Sequence, residues 1–419
     1  MKRSIMVLLA VALIALAPQA QAQQAPAPLK IGVLAPMTGA FASGGWLAAE
    51  AVRLALEGVN DEIGGRPVQL FIENTGTNPT MAVQKARRLV EREGVQLIIG
   101  PLSGGEGMAI KDFAPKIPNV TIIVAGAASE DITMRGTHPN VFRTSYTGAQ
   151  VMFPFGEYAF KEMGVKRLAV FSPGYAFPFS QVGGFLSTFI PAGGEVVAKI
   201  WTTLGTVDFS SHIAQIPKDV DGVLVTLGGS DAINFLRQLR EYGLRDQVKI
   251  LGGSIFVDPV VLSQSGEDLV GVMAGSHFAQ DLPYKEFKEF DAAFTERSGM
   301  PSSLWAADYF IATQVAIAGL QAVNGNLEDQ GAFRAALSKV KMDTPRGPFS
   351  FDEFRNVVLT AYITQVTKVG DEYRNVVLHS FPNADQFGPF DPDWYQAQPP
   401  FDRDNPTAAA LKNAKMRKK

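Results

Sequence analysis

Beyond residue 28 two hydrophobic patterns alternate along the chain. Short apolar runs at 29–34, 68–72, 95–99 and 120–124 have the length and composition of strands buried on both faces of a parallel sheet. Between them apolar residues recur at helical spacing. Ala48, Val52, Ala55, Leu56 and Val59 form one stripe, and Ala82, Ala86, Leu89 and Val90 another, with Lys85, Arg87 and Arg88 on its polar side. This rhythm predicts βαβ units with right-handed crossovers. It then starts again: runs at 168–171, 196–200, 223–227 and 250–251 read as a second set of strands, and Ile233, Leu236 and Leu239 mark a helix stopped by Gly243. A helical stretch at 284–323, broken at Gly299-Met300-Pro301, is followed by strand patterns at 349–351, 357–366 and 373–379.

Two successive sets imply an α/β fold of two doubly wound, parallel-sheet lobes that exchange chain more than once. The ends of the chain read differently. Lys2 and Arg3 precede an apolar run at 5–16 and a small-residue site, Ala20-Gln21-Ala22, which makes residues 1–22 an expected cleaved export signal and 23–28 a linker. From 381 to 419 Pro, Asp, Asn and Gln with scattered aromatics predict an extended tail with a basic end.

Composition narrows the function. Of 419 residues 46% are apolar and 19% charged, as in chains with large cores. The 38 basic and 41 acidic side chains become 36 and 41 without Lys2 and Arg3, a net of −5 that gives no electrostatic case for nucleic acid. Later apolar stretches such as 311–320 are too short to span a bilayer, which takes about 20 residues. There is no cysteine, so no site for the lipid of a bacterial lipoprotein; the mature chain is expected free in the periplasm.

In open α/β sheets ligands bind beyond the carboxyl ends of the strands. Those loops here are rich in Gly and small polar residues: 36–41, 100–106 and 125–129 in the first set, 172–177, 226–231 and 252–256 in the second. Any one of them is explained by a tight strand-to-helix turn, but six on two lobes point to a cleft. Gly104, Gly105 and Ala128 are candidates to meet a ligand carboxylate through backbone amides, and Ala127 and Gly228 are further candidate ligand contacts. Phe41, Tyr175, Phe177 and Phe256 are candidate ring-accepting walls, and Tyr146 is a further candidate ligand contact. His277 stands where the chain should cross between lobes, and is open between a cleft-lining donor and a satisfied structural histidine. Leu102-Ser103-Gly104-Gly105-Glu106 looks like a transporter ATPase signature, but no phosphate-cradling Gly-x-x-x-x-Gly-Lys-Ser/Thr accompanies it. No nucleophile elbow, thiol or zinc spacing among the four histidines appears, so neither catalytic residues nor metal nor cofactor is expected.

Several stretches together resemble the periplasmic Leu/Ile/Val-binding protein family of ABC transporters: Ile31-Gly32-Val33-Leu34-Ala35-Pro36-Met37-Thr38-Gly39, Ile98-Ile99-Gly100-Pro101, Phe142-Arg143-Thr144, Asp208-Phe209-Ser210, Asp221-Gly222-Val223-Leu224-Val225, Arg346-Gly347-Pro348-Phe349-Ser350-Phe351-Asp352 and Asn356-Val357-Val358. The resemblance covers about residues 29 to 380 and rests on order and spacing. It implies the type I periplasmic binding protein fold, a Venus-flytrap with three crossovers. Lobe 1 would be 29–146 with 277–345, and lobe 2 would be 147–276 with 346–380. It also implies a monomer that hands its ligand to an inner-membrane permease. Amino-acid binders of the family hold the ligand carboxylate with first-lobe hydroxyls and amides, and the ammonium with a second-lobe carboxylate. The hydroxyl positions fall on Gly104 and Ala128, the acid on Ser254, and a wall tyrosine on Phe177. A buried ammonium without a counter-charge costs several kcal/mol. The expected ligand is therefore an aromatic or related organic acid, its carboxylate on Gly104 and Gly105. The alternative is a branched-chain amino acid whose ammonium finds Glu106, Asp231 or a carbonyl. A secreted α/β hydrolase is the rival from another class.

Overall fold

The apolar runs become strands because each is flanked by helices that cover both faces of its sheet. The computed structural model describes residues 26–418; the expected export signal lies outside them, as do residues 23–25 of the linker. The first sheet contains β1 (Leu29–Ala35), β2 (Glu62–Ile63), β3 (Arg66–Asn74), β4 (Leu97–Ile99), β5 (Thr121–Val124) and β6 (Val141–Arg143), in the order β2-β3-β1-β4-β5-β6. Ile31 of β1 sits opposite Leu70 on one side and Leu97 on the other, all parallel. The chain leaves β1 toward β3 and returns to β4 on the other flank. The carboxyl ends of β1 and β4 thus border a topological switch point, where such sheets bind ligands.

The second sheet repeats the plan with β7 (Arg167–Pro173), β8 (Glu195–Thr202), β9 (Gly222–Val225), β10 (Lys249–Gly252) and β11 (Met273–Ser276), ordered β8-β7-β9-β10-β11. It is not wholly parallel. A long hairpin, β14 (Val357–Val369) and β15 (Glu372–Ala384), joins β11 antiparallel, and β12 (Lys341–Thr344) and β13 (Gly347–Phe351) extend the edge. The expected helical break is present: helices Lys285–Ser298 and Leu304–Ala322 are separated by Gly299, left-handed at φ 69°.

Two helices have no counterpart in the periodicity. Gly148–Lys161 and Ala176–Ala192 bury apolar residues around most of their circumference, so no polar stripe marks them. They pack backbone to backbone: a Cβ on Gly156 would lie 2.1 Å from the Phe185 carbonyl, and one on Gly184 would lie 2.4 Å from the Ala149 Cα.

The chain passes between sheets after Arg143, after Ser276 and after Leu337. Arg346 ties these passages together, donating to the carbonyls of Thr144 (2.7 Å) and Ser145 (3.0 Å) and to Asp308 Oδ1 (2.7 Å). His277 Nε2 meets the same Asp308 oxygen at 3.0 Å. Asp308 belongs to the first-lobe helix Leu304–Ala322 and is fully buried with both partners.

The tail corrects the expectation of an extended segment. β15 runs on to Ala384, and helices Pro392–Gln396 and Ala408–Lys412 follow, capped by Asp391 and Thr407. Phe387, Phe390 and Tyr395 are buried in one cluster with Phe153 and Met134. Each such ring stabilises by about 1.5–3 kcal/mol when buried, which offsets the ordering of a Pro- and Asp-rich segment. No helix of the described residues is long and apolar enough to cross a membrane.

Candidate ligand-binding site

The strand-end loops of the two sheets face each other and are shut. Ser230 N donates to the Ala40 carbonyl at 3.3 Å, and Leu304 N to Asp258 Oδ2 at 3.0 Å. A Cβ on Gly229 (φ +55°) would lie 2.3 Å from the Ala40 oxygen, and one on Gly104 would lie 2.5 Å from Phe177 Cβ across the gap. At both positions only glycine lets one lobe press its backbone on the other.

Behind these contacts the two lobes leave a small void of about 10 Å³. At that size the void in the shut arrangement has room for about one water, so the lobes must part to admit a larger guest. Its apolar wall is made of Phe41, Leu102 and Trp305 from the first lobe and Tyr175, Phe177 and Ile255 from the second, with Tyr146 between them. The rings are offset or edge-on: Phe41 to Trp305 at 5.8 Å, Tyr146 to Phe177 at 6.2 Å and 84°.

One end of the cavity is polar. Helix Gly104–Phe113 starts there, and its N-terminal amides carry partial positive charge. Ser103 caps it, its Oγ accepting from Glu106 N at 3.4 Å while Glu106 Oε2 accepts from Ser103 N at 2.9 Å. Burial pushes the Glu106 carboxyl up from its ordinary value, against hydrogen bonds from Thr75 and Ser103 that hold it down. Beside Gly104 lies the Ser129 hydroxyl, buried and without a partner; a Cβ on Gly104 would stand 2.3 Å from it. Gly126 and Ala128 complete this end.

Among the described residues no charged side chain lines the cavity, and the nearest acids are engaged elsewhere. Glu106 closes its capping box. Asp231 accepts from Gly205 N at 2.8 Å, with burial pushing it up to about 6. Asp258 accepts from Val260 N and, across the gap, from Leu304 N; burial, with some repulsion from Asp308, pushes it up to about 7. The cavity thus offers hydroxyls, amides and rings but no base to activate a nucleophile.

Of the residues expected from sequence, Phe41, Gly104, Ala128, Tyr146, Tyr175 and Phe177 meet at this cavity. Six do not line it. Phe256 is buried in the core of the second lobe, its ring 6.4 Å from that of Phe235. Gly105 lies on the outer side of its helix turn, where a Cβ would approach Pro79. Ala127 points away, against Gly107 in the core of the first lobe. Gly228 lies under the Ile255 side chain. Ser254 sits behind Tyr146, its hydroxyl 2.8 Å from the Tyr146 hydroxyl and 2.7 Å from Gln181 Nε2. His277 stacks on Tyr146 with ring centroids 3.8 Å apart; burial lowers its pKa, so the neutral ring donates through Nε2 to Asp308. It is a structural histidine of the hinge. Sequence reasoning missed Leu102, Ser103, Gly126, Ser129, Ile255 and Trp305. All but Trp305 lie in loops already singled out; Trp305 opens an apolar helix some 200 residues beyond the loops it joins, and nothing local marks it.

Two α/β lobes joined by three passages and shut over a small cavity define a bilobed solute-binding protein. The chain belongs to the periplasmic binding protein family, whose model matches residues 28–371, and it is the substrate-binding component of an ABC transporter. It is similar to Leu/Ile/Val-binding protein homolog 6 of Brucella melitensis, 26% identical over 361 residues that make up 84% of this chain and 91% of the relative. The ABC transporter substrate-binding protein from Sphaerobacter thermophilus is 31% identical and superposes with a TM-score of 0.79 over 86% of this chain and 99% of its own. A solute-binding protein of an ABC transporter from Rhodopseudomonas palustris, in complex with 3,4-dihydroxybenzoic acid, is 28% identical with a TM-score of 0.81, over 86% and 98% of the two chains. Another from R. palustris, in complex with benzoate, is 26% identical with a TM-score of 0.79, over 86% and 99%. This family and fold are those of transport proteins, not of the hydrolase considered as a rival.

Proposed function

We propose that the ligand is a single-ring aromatic carboxylate. Its carboxylate takes hydrogen bonds from the amide of Gly104 and the hydroxyls of Ser103 and Ser129 at the helix start. Its ring packs among Phe41, Tyr175, Phe177 and Trp305, with Tyr146 at the far end. One observation carries this reading: the cavity pairs an anion-favouring end with an aromatic wall and has no carboxylate to balance an ammonium. That the R. palustris relatives are in complex with benzoate and 3,4-dihydroxybenzoic acid supports it. In the same reading the chain is exported to the periplasm, where it works as a monomer that delivers its cargo to an inner-membrane permease. The jaws are 29–146 with 277–345, and 147–276 with 346–380.

The competing ligand is a branched-chain amino acid, which the names of the Brucella relatives favour. A thermal-shift screen of ligand-stripped protein separates the two. A ligand at 100 times its Kd adds about 2.7 kcal/mol to the native state, a shift of several degrees. Benzoate, 4-hydroxybenzoate or 3,4-dihydroxybenzoate is expected to raise Tm, and leucine, isoleucine and valine to leave it unchanged. The reverse result overturns the proposal.

A further inference from the structure

The family match ends at residue 371, yet the chain continues as an ordered segment through residue 418. This segment touches both lobes, and touches each directly behind the cavity.

On the first lobe the anchor is Arg135, whose Nη2 donates to the Tyr395 carbonyl and whose Nε donates to the Gln396 carbonyl, both at 3.0 Å. Glu130 and Asp131 hold the guanidinium at 3.2 and 2.5 Å. The Tyr395 ring is buried in the cluster that contains Met134 of this lobe and Phe153 of the other. Residues 130–135 continue directly from Ala128 and Ser129 of the cavity. On the second lobe the anchors are Phe401 and Arg403. The Phe401 ring covers Gly183, where a Cβ would lie 2.2 Å from it, and the Arg403 guanidinium lies 2.9 Å from the Cβ position of Gly174, the residue before Tyr175. Lys199 of β8 donates to the carbonyls of Arg403 (3.1 Å) and Asp404 (3.2 Å). Gly174 and Gly183 bracket Tyr175 and Phe177.

We infer that residues 385–418 form an interlobe strap that holds the shut arrangement, so that ligand residence time is set in part by residues that never touch the ligand. Opening the jaws moves the 128–135 loop relative to the 174–183 segment, and the strap is fixed to both. It resists that motion and slows release, while capture by the open form is little affected. Arg135, Phe401 and Arg403 are positioning residues. The inference depends on the bilobed binding function and not on which acid or amino acid binds.

The test is a double-mutant cycle on the full mature chain with Arg135→Ala, which frees the first-lobe end, and Phe401→Ala, which frees the second-lobe end. Release rates are read by stopped-flow fluorescence with benzoate, or with L-leucine should benzoate not bind, and the radius of gyration of the ligand-free protein is read by solution scattering. Each single variant is expected to release ligand about fivefold faster, with the association rate nearly unchanged, and to have a larger ligand-free radius. The double variant is expected to match the singles, because either break alone releases the strap. Release rates and scattering unchanged in variants that keep a cooperative melt overturn the inference. So do effects that multiply in the double variant, since they would be separate local losses.

Discussion

Tyr146 divides two buried regions of opposite character. Behind its ring lies the hinge, where Asp308 and Arg346 place formal charge in the interior and pair it, joined by the neutral His277 ring and by the Thr144 and Ser145 carbonyls. In front lies the cavity, where hydroxyls, amides and rings meet with no charged side chain. Charge is used where geometry must be fixed once, and dipoles and rings where a guest must enter and leave. A fixed carboxylate in front would bind an ammonium and repel an acid; in the proposed reading its absence favours the acid.

That contrast can be broken from either side. The largest effect is expected behind the ring. Asp308→Ala leaves the Arg346 guanidinium buried without its partner, and is expected to destabilise by about 3–5 kcal/mol in chemical denaturation. A loss under 1 kcal/mol would mean that the hinge is not held by this pair. In front, Gly104→Ala puts a methyl group into Phe177 of the opposing lobe. Calorimetry is expected to show at least about tenfold weaker binding with little change in melting temperature. Unchanged affinity would show that the lobes need not close to this contact.

The third effect is on pH. Asp258 is held near 7 by burial in the shut form, whereas in water a carboxylate titrates near 3.9. A carboxyl whose pKa rises on closing takes up a proton there. Closure is therefore favoured most below the open-state value, and the advantage is lost as pH rises toward 7, then is flat above it. Affinity at pH 5.5 is expected to exceed that at pH 8 several-fold, and Asp258→Asn to flatten the profile; a wild-type profile already flat would remove Asp258 from closure. The smallest effect is at Ser129→Ala, which removes one hydrogen bond to the ligand. About 1 kcal/mol, or roughly fivefold in Kd, is expected for an aromatic acid.

Much of this was legible beforehand, for physical reasons that differ from place to place. Sheet strands such as β1 and β9 announce themselves because burial on both faces demands an unbroken apolar run. The Gly-rich turns announce themselves because a shut cleft leaves no room for side chains at Gly104 and Gly229. Helices Gly148–Lys161 and Ala176–Ala192 stayed hidden because an element buried nearly all round has no polar stripe. Trp305 stayed hidden because its role depends on where the fold brings it. The tail was misread from its Pro, Asp and Asn, which here cap short helices while Phe387, Phe390 and Tyr395 supply the burial.

The meeting of Gly104 with Phe177 has a consequence for how such a protein changes its diet. There the Gly104 backbone meets the Cβ of Phe177, which no rotamer change moves. Exchanging one side chain for a smaller one therefore gains no room for a bulkier cargo. A lineage that took up two-ring compounds would have to remodel the 100–106 loop itself, by insertion or deletion, and such length changes are the mark to look for in relatives of different appetite.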